Sequence, residues 1–176
     1  DRRRRVTSAP PPPLPRLCLG VTGHRDTNAA FAAHRAEAEA ALAEVFARID
    51  ALVAAEVERI GPVAPVRLHS LLASGVDQIA AAGALRRGWE LVAPLPFGRQ
   101  LNLAVNALPA TAEDAAALLR GEAAADADVA ARAEAIRHWC GAARLFELAE
   151  QDEQIGRLFL GKLQAPGDLA RAQAFA

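Results

Sequence analysis

Two short polar loops, each following an apolar run, hold the residues with the clearest capacity for chemistry. The first is Gly23-His24-Arg25-Asp26, after the run Leu17 to Thr22; the second is Ser74-Gly75-Val76-Asp77, after the run Val66 to Leu72. Gly23 lets the backbone turn sharply or approach a ligand closely. His24 and Arg25 add two donors, and the planar fork of an arginine matches a phosphate. The turn at Gly75 leads into a helix whose first free N–H groups favour an anion, with the Ser74 hydroxyl beside them. Asp77 either caps that helix or holds a ribose hydroxyl. Arg25 also has two readings: a pair with Asp26 or an acidic residue of the helix that follows, or a place facing the anion site at Ser74-Gly75. Together, Gly23, His24, Arg25, Ser74, Gly75 and Asp77 point to a phosphate-bearing small molecule as ligand.

Other chemistries fit less well. Gly156, Gly161 and Lys162 approach the spacing of a Walker loop, but Leu163 stands where Ser or Thr must bind the metal. His24, His34, His69 and His138 lack the paired spacing of zinc ligands. A Gly-x-Ser-x-Gly elbow for serine hydrolysis is missing. No metal, cofactor or catalytic residue is assigned on these grounds.

The loops need elements to hold them. Short apolar runs at about 17–22, 66–72 and 89–94 read as strands buried on both faces. Between the first two, Leu42, Val45, Phe46, Ile49, Leu52, Val53, Val57 and Ile60 recur at helical spacing, in one long helix that Asp26, Thr27 or Asn28 caps and Gly61-Pro62 ends. A second helix carries Ile79, Ala82 and Leu85 to Gly88. The order β-α-β-α-β with helical crossovers predicts a parallel sheet. Ligands of such sheets bind at the carboxyl ends of the strands, where both loops fall. Beyond Phe97 the chain reads as helical: Thr111 and Asp114 form a capping box with aspartate in the glutamate place, and 129–148 is one further helical stretch. Three strands make an unbalanced sheet, so one more is wanted. The expected fold is an α/β, Rossmann-like three-layer domain over residues 16–176 with a helix-rich C-terminal half. Residues 1–15, rich in Arg and Pro, read as a disordered arm or linker.

Composition narrows the partners. At 176 residues, with 52% hydrophobic and 23% charged residues, the chain suits one globular domain and excludes wholesale disorder and a disulfide scaffold. The net charge of −1 conceals an asymmetry. Without residues 1–16, which hold five arginines and one aspartate, 15 basic and 20 acidic residues leave a net of −5. An acidic body argues against nucleic acid as the partner. No apolar run long enough to span a membrane is present. Cys18 and Cys140, 122 positions apart, read as free thiols, at least one of them buried, in a reducing compartment, so a cytoplasmic location is expected. The chain has no Met and starts at Asp1, as a processed chain or an excerpt of a longer one with further domains would.

Three motifs carry a resemblance. Ser70-Leu71-Leu72-Ala73-Ser74-Gly75-Val76-Asp77 is similar to the Ser-Gly-Leu-Ala-x-Gly-Val/Ile-Asp stretch of the SLOG superfamily. That superfamily joins the DNA-processing protein A family, the lonely-guy phosphoribohydrolases and many nucleotide-sensor domains. Gly23-His24-Arg25 and Ala93-Pro94-Leu95-Pro96-Phe97 resemble segments of its bacterial sensor-like branch. The resemblance covers about residues 17–99 and implies a Rossmann-like fold that binds a nucleotide or nucleotide derivative in a signalling context. Leu71 departs from the pattern, standing where the family carries glycine. The Pro-Gly-Gly-x-Gly-Thr segment of the phosphoribohydrolases is missing, as is the late strand and Gly-Gly-Thr loop of the sensors, as in a domain truncated at its C-terminus. A sensor is therefore expected first, a phosphoribohydrolase second and a single-stranded DNA-binding module third.

Overall fold

The computed structural model describes residues 12–164, so most of the arm read over 1–15 and the last residues of the C-terminal stretch, 165–176, lie outside the described residues. Four strands form one all-parallel sheet in the order β1 (Cys18–Gly20), β2 (Arg67–His69), β3 (Glu90–Leu95) and β4 (Arg144–Glu147). Helices flank the sheet, in accord with the Rossmann-like three-layer architecture that the element order predicts. Alternation in β3 sends Leu91, Ala93 and Leu95 into the main core with Leu68 of β2, and each such leucine contributes about 1.5–3 kcal/mol by burial. The opposite face buries Val92 and is ionic at its start. Glu90, directly across from Arg67, accepts from that guanidinium at 3.0 Å and also from Arg16.

Three expectations need correction. The long first helix is two helices: α1 (Ala29–Ala33), capped by the Asn28 side chain on the Phe31 N–H, and α2 (Arg35–Ile60). They break at His34, whose backbone (φ −118°, ψ 22°) leaves the helical region. The apolar stripe of α2 is only partly used, since Phe46 is buried whereas Val45, Leu52, Val57 and Ile60 are exposed. Twenty-six residues make a rod of about 39 Å, which outruns the three-residue strands β1 and β2 beside it. Its firm anchorage is one point near the middle. There the Phe46 ring stacks on Trp89 at 4.7 Å, and Asp50 accepts from Trp89 Nε1 at 2.9 Å and Arg87 Nε at 3.1 Å.

The third correction supplies the missing strand. The stretch read as helix over 129–148 is α6 (Ala127–Ala142), and the chain after it extends as β4, pairing in parallel with β3 from Val92↔Arg144 to Leu95↔Glu147. Helical periodicity persists weakly into Leu145 and Leu148, so only the open edge of β3 distinguishes strand from helix there. The region between β3 and β4 holds α4 (Arg99–Asn106) and α5 (Ala112–Leu119) besides α6, and α7 (Asp152–Gln164) follows β4. Gly156, Gly161 and Lys162 all lie inside α7, so their Walker-like spacing is coincidental. Only half of the Thr111–Asp114 box forms: Thr111 Oγ1 accepts the Asp114 N–H at 3.1 Å, while the Asp114 carboxylate accepts from the Thr111 hydroxyl at 3.2 Å in place of the Thr111 N–H. That carboxylate also accepts from the Ala125 N–H at 2.6 Å, which ties α5 to the entry of α6.

Candidate functional site

The loops after β1, β2 and β3 meet around one cavity of about 250 Å³ at the carboxyl edge of the sheet. Val21, Thr22, Gly23 and Arg25 come from the first loop, Leu71, Ala73 and Asp77 from the second, and Pro96, Phe97, Asn102, Val105 and Asn106 from the end of β3 and α4. The strand order has no reversal to open a crevice, so something else must draw the loops together. Two glycines do this. Gly75, at φ +87°, sits so close to the first loop that a Cβ would stand 2.3 Å from the His24 carbonyl oxygen and 2.9 Å from Arg25 Cα. Gly23 returns the fit, since a Cβ there would stand 2.7 Å from Cβ of Val76. The His24 carbonyl then accepts the Val76 N–H at 3.2 Å, closing the start of α3 (Val76–Arg86).

That interlock revises the roles read for the second loop. The N–H of Val76 is turned to His24 and not to an external anion. The Asp77 carboxylate, in the first turn of α3, is acted on by groups of residues 70–73 and not by N–H groups at the start of its own helix. The Ser70 hydroxyl and the backbone N–H groups of Ala73 and Leu71 are the polar groups that act on it, favouring its charged form. Leu72 between them is fully buried at φ +61°, and its N–H donates to Ser70 Oγ at 3.1 Å. Ser74 is buried away from the cavity lining, and its hydroxyl has no hydrogen-bond partner among the described residues. His24 is exposed and contributes its backbone; Gly75 is buried behind the first loop.

Arg25 and Asp77 are the charged groups that line the cavity. Asp26 pairs with Arg35, not with Arg25. Burial lowers the Arg25 pKa from its ordinary value, and the Asp77 charge opposes that shift. Burial likewise raises the Asp77 pKa, against the hydrogen bonds from Ser70, Ala73 and Leu71 and the charge of Arg25. The folded chain therefore holds the Asp77 proton to higher pH than the unfolded chain, whose aspartates titrate at about 3.9. The stability linked to Asp77 is complete below that pH and is lost as pH rises through the raised value. Thermal melts between pH 4 and 8 are expected to show the wild type losing ground to Asp77→Asn as pH rises, by about 2–4 °C for each kcal/mol of linkage. A difference that stays level or runs the other way would contradict the burial of this carboxylate.

Asn102 and Asn106 were not among the residues singled out from the sequence. The signal was present: two asparagines four apart amid Leu101, Leu103 and Val105, which places both on one side of a helix. The last residue of β4 and the first of α7 position α4. The Gly98 N–H donates to Asp152 Oδ2 at 2.8 Å and the Arg99 N–H to Glu147 Oε2 at 2.7 Å, two carboxylates at the positive end of the helix. Asp152→Ala is expected to lower stability by about 0.5–2 kcal/mol in urea denaturation, the usual effect of losing a helix cap.

A larger groove of about 530 Å³ runs between α2 and the start of β1, lined by Leu52, Ile60, Val63 and Val66 with Arg16 and Glu56 as its charged residues. It lies away from both polar loops and lacks a convergent set of polar groups, so the smaller cavity is the candidate site. Among the described residues no group of three or more His, Cys, Asp or Glu is placed to hold a metal ion, and no helix is long and apolar enough to cross a membrane. Cys18 is exposed, Cys140 is buried, and both are free thiols. The fold and the site define a Rossmann-like α/β domain with a small polar cavity at the carboxyl edge of a parallel sheet. No family model matches the chain, and no curated protein or solved structure matches it.

Proposed function

We propose that this domain binds a nucleotide or nucleotide-derived small molecule in the cavity between the loops after β1, β2 and β3, as a sensing module. The observation that carries the reading is the placement of the half-buried Arg25 opposite Asp77 at that cavity. An arginine removed from bulk water and facing a cavity suits a phosphate, because its hydrogen bonds strengthen where water is excluded. The volume of about 250 Å³ lies just below the usual range for sites that enclose drug-sized ligands, about 300–1,000 Å³. A single nucleoside phosphate suits it better than a dinucleotide. The SLOG-like motifs add to the reading, since Gly23, Arg25, Ala73, Asp77, Pro96 and Phe97 all belong to them and all line the cavity, whereas Leu71, also in the lining, stands where the family carries glycine.

Hydrolysis of nucleoside monophosphates is the second reading, and one observation weighs against it. Among the described residues Asp77 is the single carboxylate lining the cavity, which leaves no second carboxylate there to share general acid and general base roles. Calorimetric titration with nucleoside monophosphates, followed by chromatography of the mixtures, tests both readings. One-site binding without release of free base is expected. Free base would establish the hydrolase, and no heat with any nucleotide would overturn the binding site. Single-stranded DNA binding predicts an affinity that falls steeply with salt, which the same titration with an oligonucleotide measures.

A further inference from the structure

The outward face of α2 carries an order that the fold of one chain does not use. Ala41, Val45, Arg48, Leu52, Ala55 and Arg59 follow one another at steps of four and three residues, and all six are exposed. Alternating steps of that kind set residues in one line along a helix, the spacing of a coiled-coil seam. Leu52, near the middle of the line, is 66% exposed and Val45 49%. Phe46, which holds α2 to Trp89, is buried on a different side of the helix. Ala41 and Ala55 are small enough to let a second helix come close. At 1.5 Å per residue the seam is about 27 Å long. It opens into the groove of about 530 Å³, which Leu52 and Ala55 line together with Leu17 and Val63. Exposed apolar residues in line beside an apolar groove mark an interaction surface.

The charges along this face identify the partner. From the N-terminus they run Glu44, Arg48, then Leu52, then Glu56 and Arg59: minus, plus, apolar centre, minus, plus. Reversed, the same row reads plus, minus, centre, plus, minus. A second α2 laid antiparallel, with a two-fold axis at Leu52, therefore sets Arg48 against Glu56 of the second copy and Glu44 against its Arg59. Both pairings centre within one residue of Leu52, so a single axis satisfies them. A parallel pair would set each charge against its own like. In the single chain these four side chains are 49–75% exposed, with Arg48 paired to Glu44 and Arg59 to Glu56. Contact of two copies joins the two pairs into a four-charge network, the form in which surface ion pairs contribute to stability. We infer that the chain forms a symmetric dimer through α2, two copies lying antiparallel about Leu52. One surface then meets itself, as in any isologous interface. The inference is independent of the nucleotide reading.

Sedimentation of the full chain over a range of concentrations tests it, with the wild type expected to run as a dimer up to about 100 µM and to dissociate on dilution. Arg48→Glu sets like charges together at two places and is expected to weaken the dimer by about tenfold or more. Glu56→Arg is expected to do the same. The double variant carrying both changes restores opposite charges across the axis and is expected to regain most of the wild-type affinity. Leu52→Glu brings two carboxylates together at the centre and is expected to weaken the dimer by about a hundredfold. All these positions are exposed, so the diluted variants should melt close to the wild type by circular dichroism. A wild type that stays monomeric up to about 100 µM would overturn the inference and leave the face to a partner of another kind. A dimer indifferent to Leu52→Glu would overturn it by placing the interface elsewhere. A double variant as weak as the single ones would refute the antiparallel register.

Discussion

Gly75→Ala is expected to lower stability by about 2–6 kcal/mol, the largest effect of any single methyl added at the loops around the cavity. Two costs combine. The backbone at Gly75 has φ +87°, a region that costs a residue with a side chain about 1–3 kcal/mol. The added Cβ would also lie 2.3 Å from the His24 carbonyl oxygen and 2.9 Å from Arg25 Cα, and overpacking of that kind costs typically 1–3 kcal/mol. The obstructing atoms are backbone, so no rotamer change relieves them. Against a total stability of about 5–15 kcal/mol for a domain, circular-dichroism melts should show a transition lowered by roughly 5–20 °C. Gly23→Ala is the informative contrast. Its added Cβ meets the Val76 side chain at 2.7–2.9 Å, so Val76→Ala should restore part of the loss in the double variant. No second substitution outside the backbone should do so for Gly75→Ala. An alanine at 75 that melts like the wild type would show that the two loops are not interlocked.

Arg25→Ala is expected to weaken nucleotide binding by about 10- to 150-fold. A hydrogen bond between a guanidinium and a phosphate contributes about 1.5–3 kcal/mol, and each 1.4 kcal/mol is tenfold in affinity. Arg25→Lys should recover only part of the loss, because an ammonium keeps the charge but not the two-pronged geometry. A second readout separates this role from a purely structural one. Arg25 is the charge that favours the ionised form of Asp77, so its removal should raise the Asp77 titration further and steepen the loss of stability with pH. Calorimetry gives the first effect, and melts across pH give the second. Unchanged affinity in the alanine variant would return Arg25 to a structural partner of Asp77, and full affinity in the lysine variant would leave charge alone as the cause of binding.

Much of this was determined locally. The apolar runs at Leu17–Thr22, Val66–Leu72 and Trp89–Pro94 mark β1 to β3, but burial on both faces fails for β1, an edge strand whose Cys18 and Gly20 are exposed. Helical crossovers between them leave parallel pairing as the natural outcome. Thr111 and Asp114 announce the start of α5 through contacts three residues apart. Gly23, Arg25 and Asp77 could be placed at the cavity because residues that directly follow or nearly follow a parallel strand emerge at its carboxyl edge.

Other features depended on partners far along the chain. Arg144 to Glu147 extends because β3 offers an unpaired edge, a fact that local periodicity does not contain. The break at His34 and the exposed half of the α2 stripe reflect how little sheet lies beside a long helix. Gly75 reads locally as a turn that frees N–H groups for an anion. In the fold it is a contact point, packed against His24 and Arg25, with the Val76 N–H bonded to the His24 carbonyl. Asn102 was legible only as a polar residue in an apolar helix. Its place at the cavity follows from the anchoring of α4, whose Arg99 and Gly98 N–H groups bond to Glu147 and Asp152, 48 and 54 positions further along the chain. Spacing along a chain decides which atoms share a face, whereas only tertiary packing decides which hydrogen-bonding groups are already occupied and which are left for a ligand.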